Sequence, residues 1–504
     1  RREGELIRIE ALLDLQRWRE ADAIIDQQLA PFRSAETRLA DEDLQYRDSI
    51  RLLRASLRVE QATRRFGDST SDRYEDRAAI TTFLGDAITD LDELQREANP
   101  KTAARARLWS ARAYLLQGRQ EEALTQLEAV RQQRPFGAEG VVGGLEQIEL
   151  LADQGRGIEL LQATRYVMRE LGDTKGYDGG IIPFDEFRRR LRNAIDQLRQ
   201  QGAYEHAIDA ARSLPPVFAR SDALMQEGIG YQEWAEATLA NGTGISGEVA
   251  RSASKLARSR YRAAGDAFAE AAKIQFDTTQ YVPTLWSAIV AYQKGRHFSH
   301  SIALLENYLR YERRLRRPRG LVAYGRALLA VGEPDRAIDA LTNCVIEYPR
   351  DPLRYDARLL AALAHADLGD LDNARELLID NLQDGELTPQ SPAWRDSLLT
   401  LGELLYRRGY ENHLLAERAQ GAKRLELLRA NQPILEEAIR RLDEAVTRYW
   451  DITPRAESAA YLAARTHVLA AEWPRMEAQL PDILDAAKRT LHARAKLELE
   501  TALD

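Results

Sequence analysis

The 504-residue chain contains a single cysteine, Cys344. One cysteine cannot form a disulfide within the chain, and it cannot supply the several thiolates of a cysteine-based zinc cluster. Both classes of site are therefore excluded, although neither exclusion fixes the cellular compartment. Because Cys344 takes the place of a small apolar residue in a predicted helix, we expect it to be buried and not catalytic.

Long apolar runs are also missing, since none approaches the roughly 20 residues that a membrane-spanning helix needs. The chain begins at Arg1 without an initiator methionine, so a signal peptide or anchor upstream cannot be assessed from it. Together with the excess of arginine over lysine, this start favours a mature or truncated bacterial protein. We expect a place in the cell envelope or periplasm, with the cytoplasm as the alternative.

A strong excess of charge of one sign is absent. The formal net charge is −8, and the charged residues are spread along the chain. A mildly acidic chain of this kind is a poor candidate for a general nucleic-acid binder. Its hydrophobic content of 44% is too high for a disordered protein.

Recognisable catalytic motifs are lacking as well, including the nucleophile elbow, the phosphate loop and the kinase signatures. Residues 242–247 match the glycine pattern of a dinucleotide-binding loop, but residues 231–240 before them have a helical pattern. That loop needs a preceding strand and a parallel sheet, so we interpret this stretch as a connection between helices. We therefore predict no cofactor and no enzymatic activity.

Candidate metal ligands are few. His297 and His300 lie three positions apart, but no zinc signature of the HExxH kind accompanies them. Asp173 and Asp178 lie near glycines, although their spacing does not fit a calcium loop. The sequence predicts no metal site.

What the sequence has in abundance is helical periodicity, with apolar residues at three- and four-residue spacing almost throughout. Residues 320–349 show the pattern best, as two amphipathic helices around a turn. Small residues, among them Gly325 and Ala337, stand where the two helices must approach closely. Gly332 ends the first helix, and Pro349 ends the second.

The same spacing of a turn glycine and an alanine five positions later recurs along the chain, in the pairs Gly118/Ala123, Gly202/Ala207, Gly332/Ala337 and Gly369/Ala374. A single helical hairpin cannot bury its apolar face, so recurrence implies stacked neighbours. This pattern resembles the tetratricopeptide repeat (TPR), most clearly between residues 101 and 480. The resemblance implies an all-α, right-handed superhelical α-solenoid of antiparallel helical hairpins. In that architecture the first helices line a concave groove.

The predicted domains are an N-terminal TPR-like helical array over residues 1–240, an interhelical loop at 241–247, and a C-terminal TPR array over 248–504. The last contains a helical insertion at about 411–433, which either projects as an arm or extends a helix pair along its own solenoid.

The resemblance also implies protein partners, with a peptide or an amphipathic helix in the concave groove. The lysine and asparagine clamp by which one TPR branch holds carboxylate termini of chaperones is missing here. Apolar residues such as Leu108, Val322 and Leu399 take the comparable positions, together with occasional arginines. The predicted partner-binding residues are Arg112, Arg326, Arg465, Arg313, Arg314, Arg316 and Arg317.

The last four of these arginines belong to a basic cluster with Arg310 and Arg319. One explanation is compensation of a helix C-terminus together with solubility. The other is a docking patch for an acidic protein surface or an anionic lipid. A shorter cluster contains Arg188, Arg189, Arg190 and Arg192.

These features predict a noncatalytic scaffold or adaptor that binds partner segments on its concave face as a subunit of a larger assembly. Self-association is compatible with this function, whereas specific nucleic-acid binding is not expected. The alternative is a helical accessory or regulatory domain of an envelope-associated enzyme whose catalytic part lies outside this chain.

Overall fold

The computed structural model describes residues 2–32, 40–66, 74–173, 177, 182–242, 247–481 and 483–503. Every regular element in these ranges is helical, so the all-α prediction is confirmed. The chain divides into two compact units, an N-terminal unit of Arg1–Thr284 and a C-terminal unit of Leu285–Asp504. None of the described helices combines the length and the apolar character that a bilayer crossing requires.

The helices of the N-terminal unit are α1 (Arg2–Asp14), α2 (Trp18–Leu29), α3 (Asp41–Phe66), α4 (Tyr74–Glu97), α5 (Pro100–Leu116), α6 (Gln120–Arg131), α7 (Ala138–Asp153), α8 (Gly157–Leu171), α9 (Phe184–Gln200), α10 (Tyr204–Arg212), α11 (Arg220–Gly242) and α12 (Glu248–Ile274). Each odd-numbered helix packs on the even-numbered helix that follows it. We call the two members of such a hairpin its first and second helix.

The remaining helices are α13 (Tyr281–Lys294), which contains the division between the units, α14 (Phe298–Tyr311), α15 (Arg317–Ala330), α16 (Pro334–Glu347), α17 (Leu353–Asp367), α18 (Leu371–Gln383), α19 (Pro392–Arg418), α20 (Gly421–Tyr449), α21 (Arg455–Ala470), α22 (Glu472–Glu477) and α23 (Asp485–Thr501). First helices of successive hairpins also pack on each other, as α15 does on α17 and α19 on α21. Hairpins stacked in sequence order are the TPR-like arrangement that the sequence predicted.

The turn inside the hairpins follows from local chemistry. Gly332 has a φ of +80°, in the left-handed region that residues with a Cβ rarely adopt. This conformation lets the N–H of Glu333 donate to the carbonyl of Leu328 at 2.9 Å, so an otherwise free helix-end carbonyl is bonded. The second helix then begins directly, at Pro334.

The repeat length is visible in the contacts of the N-terminal unit. Four hydrogen-bonded ion pairs join residues 34 positions apart on successive first helices, at 3.0, 2.6, 2.7 and 2.8 Å for Arg105–Glu139, Arg112–Glu146, Arg188–Asp222 and Arg199–Glu233. A spacing of 34 residues is the period of the tetratricopeptide class. The α5–α6 and α7–α8 hairpins therefore repeat in register, and so do α9–α10 and α11–α12.

The predicted insertion at 411–433 is divided between α19 and α20, which form one long hairpin. The Asn431 amide donates to the carbonyl of Gly409 at 2.7 Å and accepts from Asn412 at 3.0 Å. These bonds hold the extended parts of both helices together. The choice between a projecting arm and an extension along the solenoid stays a prediction.

The predicted domain ranges stay a prediction. Their boundary loop, 241–247, contains residues 243–246, which lie outside the described residues. The helices before and after that loop, α11 and α12, pack along each other within the N-terminal unit.

Candidate functional site

The predicted inner face is formed by the first helices, and three of its apolar residues are closed to a partner. Leu108, Val322 and Leu399 are at most 5% exposed, because they pack inside the helix layers. The expectation that these residues line a groove was wrong. A side chain that faces the neighbouring first helix is buried between the two helices, so the same spacing that predicts the inner face also predicts burial.

Arg112 lies on this face but is engaged within the array. Its Nη2 donates to Glu146 Oε1 at 2.6 Å, and its guanidinium carbon lies 4.6 Å from the ring centroid of Trp109. Three arginines of the shorter basic cluster are engaged in the same way. Arg188 and Arg192 both donate to Asp222, and Arg190 pairs with Glu149. These arginines join neighbouring first helices.

Arg326, on α15, is exposed. Within the described part of the chain it forms no ion pair with a carboxylate. Burial raises the pKa of Asp356, and the positive charge of Arg326 offsets part of this rise. Arg326 thus adds positive charge to the first-helix face of the C-terminal unit.

The basic segment, residues 310–319, divides into engaged and exposed arginines. Arg319 is engaged: its Nε donates to Tyr308 Oη at 2.5 Å, its Nη2 pairs with Glu312 at 3.1 Å, and it lies 4.4 Å from the Trp286 ring centroid. The Nε of Arg317 donates to the carbonyl of Glu312 at 3.1 Å. The side chains of Arg310, Arg313, Arg314 and Arg316 are exposed.

Arg465 is the predicted site residue with the most distinctive surroundings. Its guanidinium carbon lies 5.8 Å from the ring centroid of Tyr406, 5.5 Å from that of Tyr410 and 5.7 Å from that of Tyr461. It also donates a hydrogen bond of 3.4 Å to the Tyr461 hydroxyl. We call these four residues the tyrosine–arginine cluster.

Helix stacking brings the cluster together. Tyr406 and Tyr410 are one turn apart on α19, and their rings stack with centroids 6.0 Å apart. Tyr461 and Arg465 are one turn apart on α21, the next first helix. Closer to the N-termini of the same two helices, Arg455 pairs with Glu403 at 2.9 Å and fixes their relative register.

The cluster combines positive charge with exposed apolar surface. Tyr461 is 61% exposed, and Val468, three positions after Arg465, is 50% exposed. Among the described residues, no carboxylate pairs with Arg465. Burial raises the pKa of Tyr406, so its hydroxyl is neutral near pH 7. An uncompensated guanidinium held between aromatic rings can bind a carboxylate while the ring surfaces bind apolar groups.

The sequence did not single out Tyr406 and Tyr410. Their spacing of four places them on one helix face. Only the stacking of α19 on α21, however, brings them to Arg465.

The metal and nucleophile candidates have ordinary surroundings. The rings of His297 and His300 stack with centroids 3.7 Å apart. Across the described ranges, no group of three or more His, Cys, Asp or Glu side chains is placed to hold a metal ion. Cys344 is buried as predicted, and burial raises its pKa to about 12, which keeps it a thiol. Asp178 and residues 243–246 lie outside the described residues.

His467 is a titratable residue that sequence reasoning did not distinguish. Its Nδ1 lies 2.6 Å from Glu498 of α23, and its Nε2 lies 3.8 Å from Asp443 of α20. The carboxylates of Asp443 and Glu498 raise the pKa of His467 to about 9, although its burial acts in the opposite direction. The protonated ring therefore joins α20 and α21 to the C-terminal helix.

We expect this link to depend on pH. The folded pKa of His467 exceeds the unfolded value of about 6.5, so its stabilisation is complete below that value and disappears as the pH rises through about 9. His467→Gln should weaken protection of α23 against hydrogen exchange by about 1–2 kcal/mol at pH 7, after allowance for solvent screening. The exposed His492→Gln is the control. Equal protection in His467→Gln and wild type at pH 7 would contradict the assignment.

No protein-family model matches the chain, and no curated protein matches it significantly. Solved structures do resemble it. The apo form of the quorum sensor NprR from B. thuringiensis is 12% identical, with 99% of this chain and 98% of that chain covered and a TM-score of 0.26.

Two further similar structures are TPR proteins by description. A tetratricopeptide repeat protein from Parabacteroides merdae is 11% identical, with 58% of this chain and 97% of that chain covered and a TM-score of 0.23. The P58(IPK) TPR domain is 14% identical, with 82% of this chain and 99% of that chain covered and a TM-score of 0.22. TM-scores this low give no basis for assigning a ligand or partner of those proteins to this chain. The stacked hairpins, glycine turns and 34-residue ion-pair spacing show that this chain has a TPR-like α-helical repeat fold.

Proposed function

We propose that the chain is a noncatalytic scaffold or adaptor that binds a segment of a protein partner on the first-helix face of its C-terminal unit. The observation that carries this proposal is the tyrosine–arginine cluster. Tyrosine and arginine are enriched among the residues that dominate binding energy at protein interfaces. Tyrosine supplies a large contact area at a low cost in side-chain entropy.

The chemistry of the cluster favours an amphipathic segment with an acidic residue. A carboxylate of the partner would bind the Arg465 guanidinium, which has no carboxylate partner among the described residues. Apolar partner side chains would contact Tyr461 and Val468, which are exposed on the same side of α21. Arg326 would add a second positive charge on the first-helix face of this unit.

The test is quantitative affinity purification of the chain from its native cells. We expect Arg465→Glu to lower recovery of a stoichiometric partner at least tenfold, because charge reversal removes an interaction worth more than about 1.4 kcal/mol. Since Arg465 is exposed, the variant should fold normally by circular dichroism.

The matched control is Arg489→Glu, which reverses the charge of another exposed arginine in the same unit. It should retain the partner. Recovery of the wild-type chain without any stoichiometric partner would count against the scaffold function. Equal loss of the partner in the Arg465→Glu and Arg489→Glu variants would show that the tyrosine–arginine cluster is not the binding site.

A further inference from the structure

The connection between α14 and α15 has an unusual surface. Residues 310–319 contain six arginines and one carboxylate, Glu312. That carboxylate does not neutralise the surface, because its side chain is 6% exposed and is bonded by Tyr308 and Arg319. Four exposed arginines remain without a carboxylate partner among the described residues, namely Arg310, Arg313, Arg314 and Arg316.

An apolar side chain stands among these charges. Leu315 is 85% exposed and is flanked by Arg314 and Arg316 in a single 3-10 turn. Tyr311, at the end of α14, is 46% exposed. We call Tyr311, Leu315 and the four exposed arginines the basic tip.

Compensation of the helix dipole does not explain this surface. Only Arg310 lies in the last turn of α14, whereas Arg313, Arg314 and Arg316 follow the end of the helix at Tyr311. The dipole effect falls off within that last turn. A requirement for solubility also fails to explain why a leucine is exposed between two arginines.

We propose that the basic tip binds the surface of an anionic lipid membrane. Arginine guanidinium groups bind lipid phosphates through paired hydrogen bonds and are attracted to the negative surface potential. Leu315 and Tyr311 would enter the region between the headgroups and the acyl chains, where an apolar body with a polar tip is stable. This contact is distinct from the proposed partner site, which lies on α19 and α21.

The experiment measures binding of the full chain to two kinds of vesicle, phosphatidylcholine alone and phosphatidylcholine with about one third phosphatidylserine. We expect binding to the anionic vesicles only, with weakening as salt is raised. Simultaneous replacement of Arg313, Arg314 and Arg316 by Gln should reduce the affinity about a hundredfold, because each arginine contributes a factor of about five. Leu315→Ser should reduce it several-fold and leave the salt dependence unchanged.

The matched control is the triple variant Arg418→Gln, Arg429→Gln and Arg489→Gln, which removes the same charge from exposed arginines elsewhere in the unit. It should bind as the wild type does. Equal binding to neutral vesicles, or equal loss in both triple variants, would overturn the proposal. Failure to bind anionic vesicles, with binding to a polyglutamate peptide instead, would overturn it and assign the tip to an acidic polypeptide.

Discussion

Replacing Arg319 with methionine is expected to lower the free energy of unfolding around α14 and α15 by about 2–4 kcal/mol. The variant leaves the buried Glu312 without its ionic partner. It also removes the guanidinium that lies over the rings of Trp286 and Tyr308. The Tyr308 hydroxyl and the Arg313 N–H still bond to Glu312, but neither compensates its charge.

The destabilisation caused by Arg319→Met should decrease at acid pH. Burial alone would raise the pKa of the Glu312 carboxyl. Hydrogen bonds from Tyr308, the Arg313 N–H and Arg319 nevertheless hold this pKa below its ordinary value. Its charged form therefore contributes stability above about pH 4.5, and that contribution is lost as the pH falls through the lower folded pKa. Without Arg319 the carboxyl should take up a proton at higher pH, which removes the uncompensated charge.

Hydrogen exchange measured by mass spectrometry on peptides from α14 and α15 is the suitable method, because long repeat arrays do not unfold in two states. The exposed Arg316→Met is the matched control and should change protection by less than about 0.5 kcal/mol. Glu312→Gln should recover part of the loss in the Arg319→Met background. Equal protection in the two arginine variants would contradict the ion-pair assignment.

Gly325→Ala is expected to destabilise the α15–α16 hairpin by about 1–3 kcal/mol. A Cβ at Gly325 would lie 2.5 Å from Cγ of Leu341, whose side chain is fully buried. Either Leu341 leaves its position in the core or the two helices separate. Both changes disturb the close approach of α15 to α16.

The comparison is Gly85→Ala, the same substitution at an exposed position inside α4 with no atom within 4 Å of the new Cβ. There the substitution should stabilise the helix by about 0.5–1 kcal/mol, because alanine restricts the unfolded chain more than glycine does. Opposite signs in hydrogen-exchange protection would confirm the role of close packing. Stabilisation by both substitutions would contradict it.

The hairpins could be predicted because their signals are local. Gly332 and Gly325 act through the backbone angle at one turn and the approach of two helices adjacent in sequence. The helices of this hairpin end at Ala330 and Glu347, each two residues before the predicted Gly332 and Pro349. Periodicity and turn chemistry within about 40 residues are sufficient for such features.

The sites depend on contacts that periodicity does not specify. Arg316 and Arg319 are three positions apart in one basic segment, yet only Arg319 reaches the aromatic pair and the buried Glu312. Arg465 meets tyrosines more than 50 residues earlier in the chain. The sequence supplied candidate arginines, but their partners follow from how one hairpin is rotated on the next.

The ion pairs spaced by 34 residues have a consequence for how this array can change during evolution. Each pair requires that equivalent helix faces recur after one complete hairpin. The step from α7 to α9 is different, because there Arg190 pairs with Glu149 over 41 positions. A single residue inserted into a first helix turns the following positions by about 100° and separates the charges. The pairs thus constrain the length of the first helices that they join, whereas the segment between α8 and α9 can change in length without separating them.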